Sequence, residues 1–220
     1  MLRVVGILLL ACAWMSPVHG SEERPGPLMF SAPSGALAAK WQGAQQKMAE
    51  DQARLATCRA EPWTCSHDEL RFEAIVGAAR ERRGRALIGE INRAVNLSIR
   101  PMSDERRFAV LDHWSGPLET LEAGVGDCED YAILKLLALQ EAGLTPEDLK
   151  LLIVQERTGQ NAHAVAAARI DGRWLILDNR GFTLVDMAFT PYRILAQLDT
   201  GQEGRYASAD PELENLRGTM

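Results

Sequence analysis

An α+β fold is the expectation for this sequence, with N-terminal helices packed beside a small antiparallel sheet. Three features predict it. Apolar residues recur at helical intervals through most of residues 36–97, and the glycine-rich turn Gly124-Val125-Gly126 runs into the apolar segment Ala132 to Leu139, with Tyr131, Leu134, Leu137 and Ala138 at helical spacing. Between residues 149 and 179, short runs rich in Leu, Ile, Val and Ala are joined by Asp171-Gly172, the strongest short hairpin signal.

Taken in order, Met1 to Gly20 carry Arg3, an apolar run from Val4 to Met15 and the small-residue end Val18-His19-Gly20, the three-part build of a secretory signal. The run is too short to span a bilayer comfortably. Leu9-Leu10-Ala11-Cys12 offers a competing lipoprotein reading, but the apolar run continues past Cys12 to Trp14 and Met15. Residues 21–35, rich in Pro, Gly and Ser, read as a flexible leader. One domain is expected over 36–220, with a helical part at 36–115 and a core at 116–200.

From Ala36 to Arg59, the spacing of Leu37, Trp41, Ala44, Met48 and Leu55 predicts a helix. Ser66 and Glu69 form a capping box before a core-facing helix carrying Leu70, Phe72, Ile75 and Val76. Another helix is predicted over Arg85 to Leu97, and Pro101 breaks the pattern. Residues 103–112 read as helical or irregular. The stretch Tyr131, Leu134, Leu137 and Ala138 marks a buried helix that stops at Gly143, followed by Pro146. Strands are expected at Leu149 to Gln155, Ala162 to Ile170 and Arg173 to Asn179, with a further strand at Phe182 to Val185.

Charge and cysteine count narrow the function. The whole chain has 24 basic and 30 acidic residues; removal of residues 1–20 deletes only Arg3, leaving 23 minus 30, or −7. An exported chain this acidic is a poor nucleic-acid or anionic-membrane binder. Past the signal, three cysteines remain: Cys58, Cys65 and Cys128. An odd count in an oxidising compartment implies one pair and one free thiol, and Cys58 with Cys65 is the natural pair.

That leaves Cys128, which falls at the first position of the buried helix. Unpaired amides and the positive end of the helix dipole favour a thiolate there. Asp127, Glu129 and Asp130 surround it and oppose the thiolate. Two readings of these acids stand: they cap the helix, or Asp127 and Glu129, with Asp130 or backbone carbonyls, hold a calcium ion that cancels the conflict.

The hairpin supplies the partners. A two-residue Asp171-Gly172 loop pairs Ile170 with Arg173, which carries Val165 opposite Asp178 and leaves His163 and Asp178 diagonal neighbours on one face. If the Cys128 helix sets its N-terminus on that face, Cys128 attacks, His163 serves as base and then acid, and Asp178 fixes the imidazole tautomer. His113 is the rival base, without an evident carboxylate partner, and His67 fits a surface cap.

Asp112-His113-Trp114, Gly126-Asp127-Cys128-Glu129-Asp130-Tyr131-Ala132, His163-Ala164-Val165 and Leu177-Asp178-Asn179 resemble the bacterial transglutaminase-like cysteine proteinases. The specific matches cover about residues 110–180. The resemblance implies a papain-like, transglutaminase-like core, the triad Cys128, His163 and Asp178, and calcium bound through the acids beside the cysteine. It also implies a periplasmic enzyme that clips the N-terminal region of a very large repeat-containing surface adhesin at a di-alanine site, releasing the adhesin and dispersing biofilm. An inner-membrane receptor for cyclic di-GMP is the implied inhibitor. The alanine-rich Ala162 to Ala166 differs from the bulkier residues expected after the family's histidine. Two rivals keep parts of this reading: a transglutaminase that passes the acyl group to an amine, and a calcium-dependent periplasmic binding module without catalysis.

Overall fold

The computed structural model describes residues 35–156, 159 and 162–201, and the backbone of 206–208. The expected signal and nearly all of the leader, with Cys12, lie outside the described residues. Helices α1 (Ala36–Ala60), α2 (His67–Arg80) and α3 (Arg85–Ser98) come first, as the spacing predicts. Ser66 and Glu69 close the predicted capping box on α2 in both directions, with the Glu69 amide donating to Ser66 Oγ at 3.2 Å and the Ser66 amide donating to Glu69 Oε2 at 2.8 Å. Residues 103–112 divide into a short helix, α4 (Asp104–Phe108), and an irregular stretch that begins with Ala109 in the left-handed region.

The strands β1 (Arg100–Pro101) and β2 (Val125–Gly126) form a small parallel pair on either side of α5 (Pro117–Ala123). Helix α6 (Cys128–Glu141) follows at once and is the centre of the core. Every residue from Glu129 to Leu139 is buried, so α6 is enclosed on all sides rather than amphipathic. Each of its leucines contributes about 2 kcal/mol through burial; Lys135, equally buried, runs against that trend.

The sheet is antiparallel, in the order β6-β5-β4-β3-β7-β8, from β3 (Leu149–Glu156), β4 (Ala162–Ile170), β5 (Arg173–Leu177), β6 (Val185–Asp186), β7 (Tyr192–Asp199) and β8 (Tyr206–Ser208). The predicted hairpin register is found, with Ile170 opposite Arg173 and positive φ at both Asp171 and Gly172. Two boundaries differ: β5 stops at Leu177 and not Asn179, and β6 is shorter and later than Phe182 to Val185. β1, β2, β8 and β7, which pairs with β3 from Lys150 to Glu156, were not foreseen. Among the described residues, no helix is long and apolar enough to cross a membrane.

The Cys58–Cys65 disulfide is formed, over a sequence separation of 7. Closing so short a loop in the unfolded chain is worth about 2 kcal/mol. Replacing both cysteines with serine is expected to lower the guanidinium midpoint correspondingly at unchanged slope; an unmoved midpoint would show that α1 and α2 hold the turn without it.

Candidate active site

The approach to α6 is sterically exact in one place. A Cβ on Gly126 would lie 2.7 Å from Asp130 Oδ2 and 2.8 Å from Asp130 Cβ. Asp130 has little freedom to move, because its side chain is fully buried, its Oδ1 accepts from the Ser115 amide at 2.8 Å, and its Oδ2 lies 3.8 Å from Arg107. Gly126→Ala is therefore expected to cost about 1–3 kcal/mol and to displace the first turn of α6. Chemical unfolding together with the alkylation rate of Cys128 measures both effects; wild-type values would mean that Asp130 yields.

Cys128, the free cysteine among the described residues, sits at the first position of α6. Its thiol lies 3.1 Å from Glu129 Oε2. Burial first, and then the neighbouring Glu129 carboxylate, push the thiol well above its ordinary pKa, while a hydrogen bond from the Ala164 amide acts the other way. The helix dipole alone does not settle the ionisation, as position on the helix had suggested. The acids prevail unless something neutralises them.

The acids form a pocket of unmet carboxylate oxygens. Oxygens of Asp104, Asp127 and Glu129 lie within 4.8 Å of one another. Asp104 Oδ1, Asp127 Oδ1 and Glu129 Oε1 are buried without a hydrogen-bond partner. Burial, then the Glu129 charge, pushes Asp127 up to about 9; burial also raises Glu129. Hard oxygens converging at this separation suit a calcium ion, whose ligands sit about 2.3–2.6 Å away. Asp104 joins the expected ligands Asp127 and Glu129 in the cluster. Asp130, the third expected ligand, accepts from the Ser115 amide through Oδ1, leaves Oδ2 buried without a hydrogen-bond partner, and is raised to about 7, by burial first and then Asp127. Lys40, ion-paired with Asp112, also feels the charges of Glu129 and Asp104.

On the sheet, His163 Nε2 lies 2.9 Å from Asp178 Oδ1, the diagonal pairing that the hairpin register predicted. Tyr192 of β7 donates its hydroxyl to Asp178 Oδ2, and the Arg180 amide donates to Oδ1 at 3.0 Å. Burial works against the Asp178 anion, but these three donors outweigh it and hold the carboxyl well below the usual range. Tyr192 was not foreseen, because it belongs to the unpredicted strand.

One expectation about faces is corrected. Ala162, Ala164, Ala166 and Ala168 pack in the main core with α6, whereas Val165 and Ala167 belong to a smaller cluster with Leu152, Val154 and Ile176. By the two-residue period of a strand, His163 shares the face of Val165, so α6 packs on the opposite face. Cys128 packs against the core cluster that holds Ala162 and Ala164, the neighbours of His163 on β4. β5 ends at Leu177 opposite Ala166, so the Ala164 amide is beyond the reach of that ladder.

Of the other histidines among the described residues, His113 lies tilted against Phe108, with ring centroids 4.2 Å apart, and 3.8 Å from Glu119, beyond hydrogen-bond range; His67, at the start of α2, is exposed beside Asp68.

A family model described as bacterial transglutaminase-like cysteine proteinase matches residues 46–212. No curated protein matches the sequence. Among solved structures, calcium-bound LapG of Legionella pneumophila is 20% identical, with a TM-score of 0.57 over 70% of this chain and 87% of that one. EGTA-treated LapG from the same organism is 18% identical, with a TM-score of 0.55 over 79% and 87%. At these identities the likeness concerns the fold.

Proposed function

The chain belongs to the bacterial transglutaminase-like cysteine proteinases, and from that premise we propose that Cys128, His163 and Asp178 form the triad of a calcium-dependent endopeptidase. The observation that carries the reading is the His163 imidazole of β4, 2.9 Å from the Asp178 carboxylate and set between Ala162 and Ala164, which share a core cluster with the free thiol at the start of α6.

With Nε2 donating to Asp178, Nδ1 is the ring nitrogen left to take the proton from Cys128 Sγ. The thiolate attacks the scissile carbonyl, and the resulting oxyanion is stabilised by donors that include the Cys128 amide. His163 then protonates the leaving amine, and in the second half-reaction activates water to hydrolyse the thioester. Asp178 keeps the imidazole in the required tautomer throughout. Asp104, Asp127 and Glu129 would hold calcium, which supplies positive charge that offsets the carboxylates beside the thiol. The calcium-bound and EGTA-treated forms of the structurally similar LapG support this assignment.

The substrate we propose is the N-terminal region of a large, repeat-containing surface adhesin, cut in the periplasm to release the adhesin and disperse biofilm. An inner-membrane cyclic di-GMP receptor would sequester the enzyme. Both rest on family membership. The test incubates purified protein with exported adhesin fragments, in calcium or EGTA. Two fragments from one substrate, formed with calcium alone, are expected; a single heavier crosslinked species would favour the transglutaminase reaction, and unchanged substrate would overturn the adhesin assignment.

A further inference from the structure

Lys135 is wholly buried in α6, seven residues beyond Cys128 and therefore two turns along the same helix face. Its Nζ donates to the Leu177 carbonyl at 3.3 Å. The next carbonyl, that of Asp178, accepts from Asn96 Nδ2 of α3 at 2.9 Å, and the same amide group reaches Gly181 O at 2.9 Å. The Cα of Asp178 is thus flanked by two carbonyls, each held by a side chain from a different helix.

We infer that Lys135 and Asn96 are positioning residues that brace Asp178 against α6 and α3, so that its carboxylate stays aimed at His163 while Cys128 is fixed on the same helix face. The inference rests on the triad proposed above.

The brace answers a question that packing leaves open. A buried ammonium carries a desolvation penalty of several kcal/mol, and an apolar residue of similar volume is usually neutral or stabilising in its place. Burial lowers Lys135 to about 7, with Asp178 the opposing charge. Around it stand the Tyr131 ring of its own helix, 5.8 Å from Nζ, and Asp178 beyond β5; the carboxylate in turn faces His163, Tyr192 and the Arg180 amide. β5 has ended, so the ladder no longer orders this backbone. Asn92 Nδ2 adds a bond to Gly181 O at 3.1 Å, further along the same loop.

The test compares wild type, Lys135→Met and Asn96→Ala. It measures guanidinium unfolding, exchange of the His163 ring N–H by NMR, and alkylation of Cys128 by iodoacetamide at pH 7 with calcium present. Lys135→Met is expected to unfold at the wild-type midpoint or above it. The His163 proton should exchange about ten-fold faster in both variants, and Cys128 should alkylate about ten-fold more slowly. A folded Lys135→Met with wild-type exchange and alkylation overturns the brace. Should Lys135→Met not fold, Asn96→Ala decides on the same two readouts. Cys128→Ala, assayed beside them for peptide hydrolysis, separates the two claims: if it stays active the triad itself fails, whereas an inactive Cys128→Ala with unmoved brace readouts removes only the brace.

Discussion

Cys128→Ala is expected to lower kcat/KM for peptide hydrolysis by about 10³-fold or more, because the acyl-enzyme route requires a nucleophile that no neighbouring side chain replaces. The sulfur is half-buried and small, so the substitution leaves the core intact. His163→Ala should be nearly as severe. Asp178→Asn should cost about 10²–10⁴-fold, since the amide can reverse the tautomer that a carboxylate enforces. The losses are not expected to add, as the three groups act as one unit. Steady-state kinetics of the single variants and of the Cys128→Ala/Asp178→Asn pair reads this. A Cys128→Ala protein that still cleaves would remove the proteolytic assignment and favour the binding module.

Removing calcium should have the next largest effect. With the ion gone, Asp104, Asp127 and Glu129 leave buried carboxylate oxygens unpaired beside the thiol. EGTA is expected to lower turnover by about 100-fold or more, about 3 kcal/mol at 1.4 kcal/mol per decade. Asp104→Asn and Glu129→Gln should mimic it in calcium. The pH dependence follows from the raised carboxyls. Asp127 is pushed up to about 9, Asp130 to about 7, and Glu129 is raised as well, against unfolded values near 4. Between those limits the metal-free fold binds more protons than the unfolded chain, so its stability contribution from these groups falls as pH rises from about 4 towards 9. Calcium competes with the same protons and should bind more tightly as pH increases. The calcium-induced rise in Tm is therefore expected to be larger at pH 8 than at pH 6. A Tm that ignores calcium at both values would contradict the site.

Most of this architecture is legible from local signals. The Asp171-Gly172 turn fixes register residue by residue, and that register places Asp178 diagonal to His163, as found. The capping box at Ser66 and the glycine stop after α6 likewise follow from nearby residues. What escaped depends on contacts distant in sequence. Asp104 resembles an ordinary acid in the first turn of a short helix, and only folding brings it beside Asp127 and Glu129. Tyr192 reaches Asp178 because β7 adds to the far side of β3, a pairing no turn announces. The packing face of α6 was misjudged for a related reason. The alternation of alanines along β4 shows which side is crowded only once the helix is in place. Lys135 reads as an interruption in an apolar helix until the Leu177 carbonyl is seen above it.

A single reactive sulfur served by the His163–Asp178 pair can be titrated with iodoacetamide in the calcium-loaded protein. Adduct formation at Cys128 is followed by mass spectrometry against remaining hydrolysis. Activity should fall in proportion to modified Cys128 and reach zero at one adduct per chain. Peptide hydrolysis that persists with Cys128 fully modified would show that this sulfur is not the nucleophile.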